Sequence, residues 1–190
     1  MQLRLSVLAA ICAASIPVVT FAEPPPPAWY TGKDSPEHWG DISPVYATCR
    51  LGKNQSPVDL STVEATADNS AKFHYEPLLY TVEHNGHTIQ ATPAESVQAL
   101  HLGDKVFALK QFHFHTPSEH TFLSKYFPME AHFVHQSEAG ELAVLAVMFE
   151  EGKENPALAP LLAKKLQAGE KEKLAEKLDV MPLFPEGQSH

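Results

Sequence analysis

The residues with the clearest potential for chemistry lie in the stretch KQFHFHTPSEH, residues 110–120, where three of eleven residues are histidines. His113 and His115 are two residues apart in a segment that reads as a β-strand, and residues at i and i+2 point to the same face of a strand. Two imidazoles on one face can bind one cation, while Phe112 and Phe114 point to the opposite face. From spacing alone, the alternative is a pair of hydrogen-bonded strand histidines that bind no metal.

A third ligand can come from the next predicted strand, PMEAHFVH, residues 128–135, where Glu130 and His132 share one face. Three neutral imidazoles that leave a fourth position open are typical of catalytic zinc, whereas structural zinc sites usually use cysteine. Beyond residue 22 the chain has a single cysteine, Cys49. These ligands favour zinc over copper or iron only moderately.

An amide and a carboxylate accompany the three histidines. A zinc-bound histidine normally donates its other ring N–H to an acceptor. Gln111 shares the face of His113 and His115, and Glu130 shares the face of His132, so both are candidates to fix ring orientation. The alternative for Glu130 is a surface carboxylate on an edge strand.

The spacing His-x-His-x3-Glu also opens the first motif of the cupins, which are metal-binding jelly rolls, and it makes Glu119 a ligand. That motif expects glycines near the positions where this chain has Phe107 and Tyr126. No second motif of the Gly-x5-Pro-x-Gly type follows. The cupin interpretation is therefore a weak alternative.

The elements that must position these residues are mostly strands. Asn85-Gly86 predicts a hairpin turn between strands at 79–82 and 87–91. Further strands are predicted at 106–115, 129–135 and 142–149. The last of these is apolar throughout, which predicts burial on both faces.

Outside this strand region the sequence predicts other structure. Residues 28–60 indicate irregular chain with short turns. After Gly152, Asn155 and Pro156 can begin a helix with leucines at 158, 161, 162 and 166 at helical spacing. The lysine- and glutamate-rich run at 169–177 predicts a solvated helix face.

Length and charge restrict the function classes. With 190 residues the chain is expected to form one domain, here residues 28–190. The net charge is -9 and no Lys/Arg cluster occurs, which argues against nucleic acid or an anionic membrane as a partner.

The first residues have the layout of a secretory signal peptide, with Arg4 before a short apolar run and small residues up to Ala22. We expect cleavage after Ala22, an extended proline-rich stub at 23–27, and a periplasmic or secreted protein with no stable membrane anchor. The alternative is an uncleaved anchor. A lone cysteine in an exported protein requires a reason, either a buried thiol or a partner absent from this chain.

Seven motifs in this order resemble the α-class carbonic anhydrases, bacterial branch, over residues 28 to about 160. They are PEHW (36–39), QSPVD (55–59), NGH (85–87), QFHFH (111–115), PSEHT (117–121), MEAHFVH (129–135) and LAVLAVMF (142–149). The resemblance implies a mainly β (α+β) fold with a large central, mostly antiparallel mixed sheet and short peripheral helices.

The resemblance also implies a role for each matching residue. The implied zinc ligands are His113, His115 and His132, with Gln111 and Glu130 as their hydrogen-bond partners. The other implied roles are the proton shuttle for His87, the carboxylate that orients a threonine hydroxyl for Glu119, a pocket tyrosine for Tyr30, and walls of an apolar CO2 pocket for Val134 and Val144. His84 stands near the mouth of the site, where it can assist or disturb the shuttle.

The implied reaction is the reversible hydration of CO2 to bicarbonate and a proton. Zinc in carbonic anhydrases lowers the pKa of its bound water to about 7, and the resulting hydroxide attacks CO2. A histidine suits the relay that then carries a proton away, because it accepts and releases protons near neutral pH.

The family pattern continues past the point where this chain stops. By resemblance, that continuation holds the threonine next to Glu119, central strands and the partner of Cys49. We therefore expect a C-terminally incomplete domain with the ligand set intact and weak activity. The alternative expectation is a zinc-binding remnant without activity, or an interaction protein. The sequence does not indicate an oligomeric state.

Overall fold

The computed structural model describes residues 35, 38–63 and 71–185. The predicted signal peptide at 1–22, the proline-rich stub at 23–27 and the predicted pocket residue Tyr30 lie outside the described residues. Two short helices and a 3-10 turn occupy the first described segment: α1 (Trp39–Ile42), Pro44–Tyr46 and α2 (Ala47–Leu51). The sequence predicts irregular chain with short turns here and does not predict these two short helices.

Strands form most of the remaining structure. They are β1 (Ala71–His74), β2 (Tyr80–His84), β3 (Ile89–Pro93), β4 (Ala99–Leu102), β5 (Lys105–His115), β6 (Thr121–Phe122), β7 (Lys125–Tyr126), β8 (Met129–Gln136), β9 (Leu142–Phe149) and β10 (Lys171–Lys173). One helix, α3 (Ala159–Leu162), follows β9, and 3-10 turns occur at Leu60–Thr62 and Met181–Leu183. The predicted strands at 106–115, 129–135 and 142–149 correspond to β5, β8 and β9.

Eight strands form one sheet around the long strand β5. On one side, β4 pairs with the first half of β5 and β3 with the second half, and β1, β2 and β10 extend the sheet outward. On the other side β8 pairs with β5, and β9 pairs with β8. All these pairings are antiparallel, so the large, mainly antiparallel sheet implied by the resemblance is present and its described strands include no parallel pair.

The core covers one face of the sheet. Phe112 of β5 and Phe133 of β8 are fully buried there and stack with ring centroids 5.0 Å apart. Leu161 of α3 and Leu178 and Val180 of the C-terminal segment pack in the same cluster. Because side chains alternate along a strand, this packing leaves the histidine side chains of β5 on the other face.

Two predictions about the second half of the chain are wrong. The run 169–177 contains a strand, β10, and not a helix face, because its backbone pairs with the outer edge of β2 and Lys171 Nζ bonds Glu83 Oε2 at 2.8 Å. β9 is not buried on both faces, since Leu142 and Val144 are 66% and 51% exposed. The helix expected after Asn155 is present but short, because it spans only Ala159–Leu162.

Among the described residues, none of the helices has the length and apolar character that crossing a membrane requires.

Candidate metal centre

The pairing of β5 with β8 brings the three predicted ligands together. In this register His113 lies opposite His132, and His115 lies opposite Glu130. Paired residues of antiparallel strands point to the same face, so all four side chains emerge on one side of the sheet. One nitrogen from each of His113, His115 and His132 lies within 4.8 Å of the others.

The neighbours of these rings determine which nitrogens face one another. Gln111 Oε1 lies 2.8 Å from His113 Nδ1, which leaves His113 Nε2 for a ligand. Glu130 Oε1 lies 2.6 Å from His132 Nε2, which leaves His132 Nδ1. An ionised carboxylate only accepts hydrogen bonds, so His132 Nε2 is the donor to Glu130, and Nδ1 is the nitrogen left for a ligand.

The electrostatics of the rings suit a metal. Burial, followed by the neighbouring His132, lowers the pKa of both His113 and His115 to about 4. These rings are therefore neutral at pH 7, and neutral imidazole is the form that binds metal. Three imidazoles with converging nitrogens, two of them held neutral by burial, fit a catalytic zinc ion.

Glu130 is fully buried and accepts hydrogen bonds from four donors. Its Oε1 bonds the rings of His120 and His132, and its Oε2 accepts the backbone N–H groups of Glu119 and His120 at 2.8 and 2.9 Å. Burial acts to raise the pKa of this carboxyl, but the hydrogen bonds from His132 and His120 outweigh it and lower the pKa to about 2. Glu130 is thus a buried anion on an interior strand and not a surface carboxylate on an edge strand.

His120 is a member of this cluster that the sequence patterns miss. It lies in the loop after β5, where no strand or helix period assigns it a face. The segment from Ser118 to Phe127 contains the hairpin of β6 and β7 and is closed by the Ser118–Phe127 backbone hydrogen bond of 3.0 Å. It brings the backbone and ring of His120 to Glu130 of β8. The only signal in the sequence is its position at the end of the histidine-rich stretch.

Glu119 lies beside the converging nitrogens. Its Oε2 is 3.3 Å from His115 Nε2 and 3.8 Å from His132 Nδ1, and its side chain is 17% exposed. The structure therefore places this carboxylate beside the nitrogens of His115 and His132. Its role toward a threonine hydroxyl stays a prediction.

His87 lies in the turn between β2 and β3. Asn85 Oδ1 accepts the backbone N–H groups of His87 and Thr88, each at 3.0 Å, and the His87 side chain is exposed. His87 and His84 line the same cavity as His115, with a volume of about 520 Å³. The structure thus places the predicted shuttle in a space that reaches a predicted ligand.

The two predicted walls of the substrate pocket are neighbours. Val134 of β8 lies opposite Val144 of β9 and two residues from His132, so both valines are on the histidine face. Val134 is partly buried, but Val144 is 51% exposed. The wall is therefore open to solvent on its β9 side.

Cys49, far from this wall in sequence, is an exposed free thiol.

Comparisons with known proteins agree with this geometry. The family model described as eukaryotic-type carbonic anhydrase matches residues 34–190. A carbonic anhydrase of Neisseria gonorrhoeae is 42% identical over 82% of this chain, and the match spans 62% of that protein. A carbonic anhydrase of Klebsiella pneumoniae is 38% identical over 97% of this chain and 75% of its own length.

The solved structures give the same result. The structure of a hyperthermostable carbonic anhydrase from a hydrothermal vent chimney superposes with a TM-score of 0.75 at 44% identity, over 83% of this chain and 70% of that one. The cupin interpretation is therefore not retained. This chain belongs to the eukaryotic-type carbonic anhydrase family.

Proposed function

We propose that this chain catalyses the reversible hydration of CO2 to bicarbonate and a proton, with a zinc ion held by His113, His115 and His132. The observation that carries the proposal is the convergence of three imidazole nitrogens on one face of the sheet, where burial keeps the rings of His113 and His115 neutral. Family membership supports the reaction, since the relatives reported above are named carbonic anhydrases. When bound, zinc lowers the pKa of water so that hydroxide is available at neutral pH.

The residues around the ligands prepare them for this role. Gln111 and Glu130 hold the rings of His113 and His132 so that the correct nitrogens face inward. Such outer partners raise the basicity of the ligands and fix the ring tautomer. Glu119 places a carboxylate near the reacting position, where it can orient a hydroxyl group.

CO2 is apolar, so it requires a dry surface near the metal ligands. Val134 and Val144 supply two aliphatic side chains on the histidine face. Neither side chain can hydrogen-bond water. These valines are therefore the substrate wall that we propose.

Each turnover releases a proton that must reach solvent. His87 is exposed, borders the cavity that His115 also lines, and belongs to the residue type best suited to neutral pH relay. We assign it the shuttle role. His84 borders the same cavity and can serve the same path.

The cellular setting is also part of the proposal. The signal-like segment at 1–22 supports export to the periplasm or beyond, and the net charge of -9 does not favour nucleic acid or anionic lipid as partners. The proposed substrates are CO2 and bicarbonate, with zinc as the cofactor.

A second candidate is a zinc-binding member of the family with weak or no activity. The exposed Val144 and Leu142 favour it, because a substrate wall that stays wet binds CO2 poorly. Both candidates keep the metal site, so they differ in turnover and not in zinc binding.

The deciding experiment measures zinc content and CO2 hydration together. Purified chain with one equivalent of zinc is assayed by stopped flow with a pH indicator, beside His113→Ala and a chelator-treated sample. Hydration that requires both zinc and His113 supports the first candidate. Zinc bound one to one with hydration no faster than in His113→Ala supports the second, and absence of zinc binding contradicts both.

A further inference from the structure

The turn that carries His87 is hydrogen-bonded to the metal-binding strand through the side chain of Thr88. The Thr88 hydroxyl donates to Phe114 O at 2.5 Å and accepts the Phe114 N–H at 3.1 Å. Phe114 is the residue between His113 and His115. A single hydroxyl therefore satisfies both backbone groups of the residue that separates two predicted ligands.

This contact stands where the regular strand pairing ends. In the register between β3 and β5, Gln90 lies opposite His113 and Ala91 lies opposite Phe112. Toward the turn, the backbone of β3 no longer pairs with β5, and the Thr88 hydroxyl takes over the hydrogen bonds that a strand partner would supply. A partly buried backbone group left without a partner is unfavourable, so this hydroxyl has a structural effect beyond its size.

The rest of the turn is also closed by side chains. His84 Nδ1 accepts the Gly86 N–H at 3.1 Å, and Asn85 Oδ1 accepts the two following N–H groups, of His87 and Thr88. Gly86 has φ +95, a conformation that favours glycine, and a Cβ there would meet no atom within 4 Å. The turn is thus internally fixed. It is joined to the metal-binding strand at Thr88, next to the Gln90–His113 pairing, and on its other side the His84 backbone bonds Gly169 and Glu170.

We propose that Thr88 is a positioning residue, whose hydroxyl sets the distance between the His87 ring and the metal-binding imidazoles through the Phe114 backbone. The effect on proton transfer through His87 rests on the proposed function, whereas the hydrogen bonds between Thr88 and Phe114 do not. Since proton exit follows product formation, weakening the attachment affects kcat and leaves kcat/KM unchanged.

The test uses three variants of the full chain. Thr88→Val has nearly the same shape without the hydroxyl, Thr88→Ser restores the hydroxyl, and Thr81→Val is the control. Thr81 lies on β2 opposite Thr92, and β3 separates β2 from β5. Thr81→Val therefore removes a hydroxyl from the same hairpin without touching the attachment.

Two readouts do not depend on activity. In Thr88→Val, amide hydrogen exchange at Phe114 should become faster, and the paramagnetic shifts that bound Co2+ induces on the His87 ring protons should change. Thr88→Ser and Thr81→Val should resemble the original chain in both. Unchanged exchange at Phe114 and unchanged shifts at His87 in Thr88→Val would overturn the proposal.

The kinetic readout separates this proposal from the proposed function. In dilute buffer we expect Thr88→Val to lower kcat by about tenfold, as small displacements of reacting groups do, with kcat/KM unchanged and kcat restored by added imidazole. A parallel fall in kcat and kcat/KM would contradict the positioning role. A further outcome is that the original chain shows no CO2 hydration while Thr88→Val still changes the Phe114 exchange and the His87 shifts. That result would support the attachment through Thr88 and contradict the proposed function.

Discussion

β8 and β9 are adjacent strands of eight residues that pair along their full lengths, but their burial is the reverse of what their compositions suggest. β8 carries Glu130, His132 and His135, which are exposed by 8% or less. β9 contains no charged residue, but Leu142 and Val144 are mostly or half exposed. Within the described ranges β8 has a strand on each side and β9 has one neighbour, so position in the sheet decides burial more than polarity does.

The buried polar residues of β8 are tolerated because each has specific partners. Glu130 receives four hydrogen bonds, and His135 Nε2 lies 2.6 Å from the Tyr75 hydroxyl on the core face. Burial lowers the pKa of His135, so this ring is neutral among the aromatic side chains of the core. Histidine thus has a different role on each face of β8. His132 is a predicted metal ligand, whereas His135 packs in the core.

The largest effect is expected from removing a ligand on β8. His132→Ala deletes the nitrogen that Glu130 orients, and it leaves two imidazoles that hold zinc weakly. Loss of an outer hydrogen-bond partner lowers metal affinity by up to about 100-fold, and loss of a ligand should lower it further. We therefore expect the zinc affinity to fall by more than about 100-fold and CO2 hydration to disappear. Competition with a chromophoric chelator measures the affinity.

The control for this variant is His101→Ala, which removes an exposed imidazole from β4. It should leave the zinc affinity unchanged. Equal losses in both variants would show that zinc binds histidines at the surface and not at the β5–β8 site.

A smaller effect is expected from the buried anion behind the ligand. Glu130→Gln keeps the shape but replaces an acceptor of four hydrogen bonds with a neutral amide that also donates. We expect zinc affinity to fall by about 10–100-fold and the free energy of unfolding to fall by about 1–3 kcal/mol. Titration calorimetry and urea denaturation measure the two quantities.

The matched control is Glu141→Gln, which removes an exposed carboxylate paired with Lys105 at 2.7 Å. An exposed ion pair contributes about 0–1 kcal/mol, so this variant should unfold like the original chain and bind zinc equally well. A comparable loss of zinc in Glu141→Gln would mean that net charge, and not the Glu130 contacts, governs affinity.

The buried histidines also predict how stability depends on pH in the metal-free chain. Burial holds the pKa of His113 and His115 near 4 and lowers that of His135, from about 6.5 in the unfolded chain. Between these values the unfolded chain binds more protons, so the free energy of unfolding falls as pH drops from about 6.5 toward 4. Above pH 6.5 the contribution of these neutral rings to the free energy of unfolding is complete.

Each imidazole adds up to about 1.4 kcal/mol per pH unit to that slope. Urea denaturation with a chelator at several pH values measures it. The double variant His113→Gln with His115→Gln retains only His135 of the three and should show a shallower slope. An equal slope in the double variant would mean that these two rings do not stay neutral in the folded chain.

The sequence predicts the ligand strand well and its surroundings less well. The period of two places Gln111, His113 and His115 on one face because that rule depends only on local geometry. It cannot place His120, whose ring reaches Glu130 through a loop, nor Thr88, whose contact with Phe114 joins residues 26 positions apart. Sequence patterns also mispredict the burial of β9 and the structure of residues 169–177, because both depend on the number of neighbouring strands, which is a property of the whole sheet.

The smallest effect tests the two faces of β9 directly, with the same substitution on the same strand. Val147 is 7% exposed and faces the core, whereas Val144 is 51% exposed on the histidine face. Val147→Ala should lower the free energy of unfolding by about 1–2 kcal/mol, and Val144→Ala should change it by less than about 0.5 kcal/mol. Urea denaturation resolves the difference. An equal loss in Val144→Ala would show that the histidine face of β9 is covered in solution, and it would remove the observation that favours an inactive zinc-binding protein over an enzyme.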